Sequence, residues 1–125
     1  MSPKNVNSEQ TPVGVSVVLP ILNEERYLDD AITAILAQRY EGPLEVILAL
    51  GPSTDRTNEI ALALAAQDPR VVLVENPTGR TAAALNLAIA ASQYSIICRI
   101  DGHAEVAPTY IDSAVKGMSE TGAVN

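Results

Sequence analysis

A chain of 125 residues with 15 acidic and 8 basic side chains carries a formal charge of −7, which argues against a nucleic-acid role because phosphate contacts supply most of the affinity there. Any phosphate bound by so acidic a chain needs a local positive site or a metal. The length fits one compact domain, and with 47% apolar residues but no Phe or Trp its core must come from Val, Ile, Leu and Ala, a composition suited to thin layers of helix on sheet.

From the N-terminus, Met1 to Gln10 is polar and lacks the apolar run of a signal peptide, so residues 1–12 read as a disordered leader and 13–125 as the domain. No stretch approaches the ~18 apolar residues of a membrane span. The expected location is cytoplasmic, with an anchor elsewhere in a longer parent chain left open, which would place the full-length protein at the cytoplasmic face of a membrane.

Val13 to Leu19 is an apolar, β-branched run, and Pro20 is expected to stop it because proline cannot donate to a ladder. Leu28, Ile32, Ile35 and Leu36 then recur at helical spacing behind Glu24 and Glu25, with Asn23 as the expected N-cap. Leu44 to Leu50 is a second strand, ended by Gly51-Pro52. Ser53, Thr54 and Asp55 compete to cap a helix reaching about Gln67, whose stripe includes Ile60 and Leu64. Val71 to Val74 is a third strand and Glu75 to Gly79 a loop. Arg80 to Ala91 is a helix by its Ala and Leu content, with Asn86 the polar residue in its middle. Ile96 to Ile100 is a fourth strand, with Cys98 as a small core residue. A last helix is expected from near Pro108, with Tyr110, Ile111, Ala114, Val115 and Met118 inward.

Because these strands are unbroken apolar runs, both faces of the sheet must be covered. The fold class that follows is α/β: a three-layer sandwich around a mainly parallel sheet, Rossmann-like in its winding. Right-handed crossovers put every strand-to-helix loop on one edge, where open α/β sheets bind ligands. Asn23, Glu24, Ser53, Asp55, Gly79, Arg80, Asp101 and His103 are therefore expected to gather there. Asp101-Gly102-His103 is the most informative of these loops, since a carboxylate and an imidazole two residues apart can share one metal ion or one phosphate. Alone it would read as a solvated turn. Asn23 and Ser53 alone would be caps, Asp55 a structural residue, and Arg99 with Asp101 an internal ion pair, as alternate residues of a strand share a face.

The loops also reject several α/β families. No Gly-x-Gly-x-x-Gly follows the first strand, and no lysine sits where a P-loop would need one. Instead Val15 to Glu25, Pro52 to Thr57, Gly79 to Asn86 and Asp101-Gly102-His103 follow in order the motifs of family 2 glycosyltransferases with the GT-A fold. The resemblance covers about residues 14 to 125 and is greatest to the bacterial exopolysaccharide subgroup of succinoglycan type.

That resemblance implies a division of labour. Pro20, Ile21, Leu22 and Asn23 would pack on the nucleobase, with Gly51 beside them. Gly79 and Arg80 would lie at the nucleotide, where a guanidinium can hold base or phosphate oxygens. Asp101 would contact ribose or metal, and His103 stands where a metal-binding aspartate is usual. The implied cofactor is a divalent ion, Mn²⁺ or Mg²⁺, and imidazole favours the softer Mn²⁺. The implied partners are a nucleotide-sugar donor, with UDP the default, and a glycan or lipid-linked acceptor. Leu50 and Gly51 replace the family's usual pair of aspartates, so the base is not read from these residues. No catalytic base is identified, and one is expected beyond Asn125. On this reading the chain is the donor-binding part of an inverting transferase, inactive alone and prone to self-association, with a nucleotide-binding module or a nucleotidyltransferase as the alternatives.

Overall fold

The structure is a computed structural model that describes residues 13–121, with side chains as far as Gly117. The leader at 1–12 and the inward side chain expected of Met118 lie outside what the structure describes. Four strands, β1 (Val15–Ile21), β2 (Leu44–Leu50), β3 (Val71–Glu75) and β4 (Ile96–Arg99), form one sheet in the order β3-β2-β1-β4. Every pairing is parallel. The helices that alternate with them are α1 (Leu28–Leu36), α2 (Thr57–Gln67), α3 (Thr81–Ala91) and α4 (Tyr110–Thr121).

Strand alternation divides the core into two layers. Val15, Val17, Leu19 and Ile21 face α1, α2 and Ile111 of α4, together with Val46 and Leu48 of β2. On the other side Val18, Ile47 and Ala49 meet Ala84 and Ala88 of α3. The small alanines let α3 lie close to the sheet. This is the three-layer α/β architecture expected from the doubly buried strands. Ile111 is fully buried, but Tyr110 is 37% exposed, so the inward placement expected for it is corrected. Cys98 is buried as expected, and burial pushes its thiol up.

The winding locates the site. From β1 the chain steps outward through β2 to β3, then returns across the sheet to place β4 on the other side of β1. The order reverses between β1 and β4, and the crevice at such a switch point is where open α/β sheets hold ligands.

Two expectations at the end of β1 are corrected. Pro20 does not stop the strand, which continues to Ile21 opposite Leu50. Alternate residues of a strand direct their backbone groups to opposite neighbours: Ile21 O accepts from Gly51 N on the β2 side, whereas Val18 O accepts from Ile100 N on the β4 side. Pro20 shares the parity of Val18, so its missing N–H faces the side where β4 has already ended at Arg99. Nor does Asn23 cap α1. It sits at φ 53°, in the left-handed region that asparagine tolerates, and α1 begins five residues later, after Tyr27.

At the opposite edge of the sheet, Ser16 and Glu45 are buried polar residues on the α3 face. Ser16 Oγ donates to Glu45 Oε2 at 2.6 Å, and Gln93 N donates to the same oxygen at 2.7 Å. Tyr94 N donates to Ser16 Oγ at 3.2 Å, so this cluster fixes the entry to β4.

Candidate functional site

The loops after β1 and β2 are stitched together through backbone donors. Asn23 N donates to Ser53 Oγ at 2.9 Å, and Asn23 Oδ1 accepts from Thr54 N at 2.8 Å. Glu24 N donates to Thr57 Oγ1 at 2.7 Å, and Arg56 N to Glu25 Oε1 at 3.1 Å. Asp55 takes the Thr57 N–H at 2.9 Å as well as the Thr57 hydroxyl, which holds its carboxyl below the ordinary range. Asn23 and Ser53 thus spend their polar groups on each other's loops, and Asp55 serves the start of α2 from just outside its first turn.

A third loop, between β3 and α3, is organised by Asn76, a buried polar residue that sequence reasoning passed over. Its backbone N donates to Leu50 O, its O accepts from Gly79 N, and its Nδ2 donates to Arg80 O at 3.0 Å. An asparagine before Pro77-Thr78-Gly79 was the available signal, because Asx side chains close such turns on their own backbone. Gly79 at φ 70° makes the turn into α3, which starts with no side-chain cap, so its first N–H groups, at the positive end of its dipole, have no capping side chain as acceptor. Where the loops meet, a Cβ on Gly51 would lie 3.0 Å from Leu22, 3.2 Å from Ile21 O and 3.3 Å from Gly79 Cα. The position where the family usually has an aspartate is therefore tight here.

A cavity of about 280 Å³ opens at the switch point. One wall is the end of β1, Pro20 to Leu22 with Glu24; another is Gly79 with Thr81 and Ala84 of α3; the third is Arg99, Asp101 and His103 beyond β4. Arg99 and Asp101 form the expected ion pair, Nη2 to Oδ1 at 3.3 Å, both side chains about half exposed. His103 Nδ1 lies 3.1 Å from Glu24 Oε2, and this carboxylate raises the imidazole pKa above its ordinary value. Pro20, Ile21, Leu22, Gly79, Asp101 and His103 are thus brought to one space. Asn23 lines a separate cavity of about 330 Å³ with Asp55 instead, and the Arg80 side chain is not in the wall of the switch-point cavity, although it has no ion-pair partner among the described residues. Gly51 lines a neighbouring cavity of about 460 Å³, largely apolar, between Leu73, Asn58 and Pro77. The larger space lacks the cluster of charges, so volume alone does not mark the chemistry. Sequence reasoning placed Glu24 on this edge but missed its contact with His103.

Among the described residues no three His, Cys, Asp or Glu side chains cluster closely enough to hold a metal by themselves. What the cavity offers is Asp101 Oδ2 and His103 Nε2, the atoms left over from the two pairs above. Two protein donors suit a cation that also binds phosphate oxygens, as magnesium-like ions at phosphates commonly do.

The comparisons with known proteins agree with this fold. The family model described as glycosyl transferase family 2 matches residues 16–125. The chain belongs to that family. It is 36% identical to the succinoglycan biosynthesis protein ExoA of Rhizobium meliloti (strain 1021) over 121 residues, covering 94% of this chain and 36% of ExoA. The mannosyltransferase PcManGT of Pyrobaculum calidifontis, solved in complex with GDP-Man and Mn²⁺, superposes with a TM-score of 0.76 at 30% identity over 89% of this chain and 33% of that one. TarS of S. aureus in complex with UDP-GlcNAc gives a TM-score of 0.70 at 19% identity, over 86% of this chain and 31% of TarS, a likeness of fold. The four-stranded parallel sheet is that of the GT-A glycosyltransferases, and the chain spans about a third of the length of these relatives.

Proposed function

We propose that this chain binds the donor of a glycosyltransferase, a nucleoside diphosphate sugar, with the diphosphate in the cavity between β1 and β4. The observation that carries the reading is the meeting, at the switch point, of the uncapped start of α3 with Arg99, Asp101 and His103. Exposed helical N–H groups and a guanidinium are what a diphosphate needs in a chain of net charge −7. Pro20, Ile21 and Leu22 supply an apolar shelf for the base, and Gly79 lets backbone approach it. Asn23 and Gly51 act one step back, by shaping that shelf, and Arg80 reaches the phosphates or base only by turning its unpaired side chain toward them.

A divalent cation bound between Asp101 and His103 would offset charge on the departing diphosphate. The donor complexes of PcManGT, with GDP-Man and Mn²⁺, and of TarS, with UDP-GlcNAc, support the ligand class. UDP remains the default base, since the carboxylate pair that would read it is replaced by Leu50 and Gly51. Inversion, a glycan or lipid-linked acceptor and a place in polysaccharide synthesis at the cytoplasmic face of a membrane rest on family membership and the likeness to ExoA. None of the described helices is long and apolar enough to cross a membrane. No described residue is assigned as the base that deprotonates the acceptor.

Calorimetric titration with UDP and GDP, each with and without Mn²⁺, tests the reading. Nucleotide binding should strengthen with Mn²⁺, and Arg99→Ala should weaken it by about 1.5 to 3 kcal/mol, the range for hydrogen bonds to charged groups. Binding of neither nucleotide under either condition would overturn it.

A further inference from the structure

We propose that Glu24 is a positioning residue that fixes the tautomer of His103, making Nε2 an electron-pair donor toward a cation shared with Asp101; the proposal rests on the donor-site reading above. A carboxylate only accepts hydrogen bonds, so the contact between His103 Nδ1 and Glu24 Oε2 at 3.1 Å requires the ring proton on Nδ1. In the neutral ring Nε2 is then a bare lone pair. Exposed histidines with no partner have no such constraint.

The surroundings hold Glu24 in place from three sides. Its backbone N–H is fixed on Thr57 Oγ1 at 2.7 Å, and its side chain is only 17% exposed. The turn that carries His103 is closed by Ala104 N on Asp101 O at 3.0 Å. Gly102 within that turn is pressed against Glu24: an added Cβ would lie 3.3 Å from Glu24 Cγ and 2.7 Å from Ile21 Cδ1. The close approach brings the ring and the carboxylate together, and it depends on glycine between Asp101 and His103. Histidines that bind metals through one nitrogen are commonly oriented by a carboxylate at the other.

The histidine is the only one in the chain, so its ring nitrogen signals in ¹⁵N-resolved NMR belong to it without assignment. At about pH 9, where an imidazole is neutral, the wild-type ring should carry its proton on Nδ1. Glu24→Ala should shift the population toward Nε2–H and reduce Mn²⁺ affinity, measured in saturating UDP, by about 10- to 100-fold. Glu24→Gln, whose amide oxygen accepts the same N–H, should retain the Nδ1–H form and most of the affinity. A wild-type ring protonated on Nε2 would overturn the proposal without any variant having to fold. So would a Glu24→Ala tautomer identical to wild type. UDP binding with no dependence on Mn²⁺ overturns this proposal and leaves the donor site standing, whereas a protein that binds neither UDP nor GDP removes both.

Discussion

Gly102 shows how much of the site depends on single atoms. A methyl group there would meet Ile21, which is 2% exposed and has little room to withdraw, and would press on Glu24 as well. Gly102→Ala should therefore lower stability by about 1 to 3 kcal/mol, the usual cost of overpacking. Because the strain falls on the turn that carries Asp101 and His103, Mn²⁺-assisted UDP binding should drop with it. Denaturant unfolding together with the UDP titration checks both, and an alanine variant equal to wild type in each would contradict this packing. The sequence pointed to Asp101 and His103 because an apolar run ended in the chain's only histidine. It could not show Glu24 facing that histidine, since 79 residues separate them and only the fold sets their contact. The same holds for Arg80, whose motif position says it is near the nucleotide and whose rotamer no motif records.

At the scale of elements, the four strands were legible to within about two residues because burial on both faces leaves an unmistakable apolar run. The starts of α1 and α2 were not. Asn23, Ser53 and Asp55 look like caps when read locally, yet in the structure most of their hydrogen bonds cross between loops some thirty residues apart. Asp55 allows a test of this stitching. Its carboxyl is held low first by the Thr57 hydroxyl and further by backbone N–H donors from Thr57 and Glu25. A depressed native value means that its contribution is complete above the unfolded-state value of about 3.9 and is lost as the pH falls through the lower native one. Thermal unfolding of wild type and Asp55→Asn should differ most at about pH 6 and converge as the pH falls below the unfolded-state value. A gap that stays constant across that range would show that the Asp55 charge does not hold the loops.

Across the whole molecule, the reversal of strand order between β1 and β4 gathers loops from all parts of the chain into one crevice. That much followed from the alternation of strands and helices. The outer surface did not: α3 is apolar nearly all round, and Leu87 and Ile89 on it are 39% and 46% exposed. A helix of this kind is ordinarily covered, and β4 is in addition an edge strand of the described sheet. We predict concentration-dependent self-association, and Leu87→Lys with Ile89→Lys should reduce it. Light scattering that finds wild type monomeric at all concentrations would contradict this.

The central claim is that a donor's diphosphate sits between β1 and β4, against the start of α3. Mapping backbone amide shifts during titration with UDP and Mg²⁺, which leaves the spectrum sharp, tests it most directly. The largest changes should fall on Gly79 to Ala84 and on Asp101 to His103, with little at Leu62 and Leu73 around the neighbouring apolar cavity. Changes confined to that second cavity, or none anywhere at saturating nucleotide, would contradict the account.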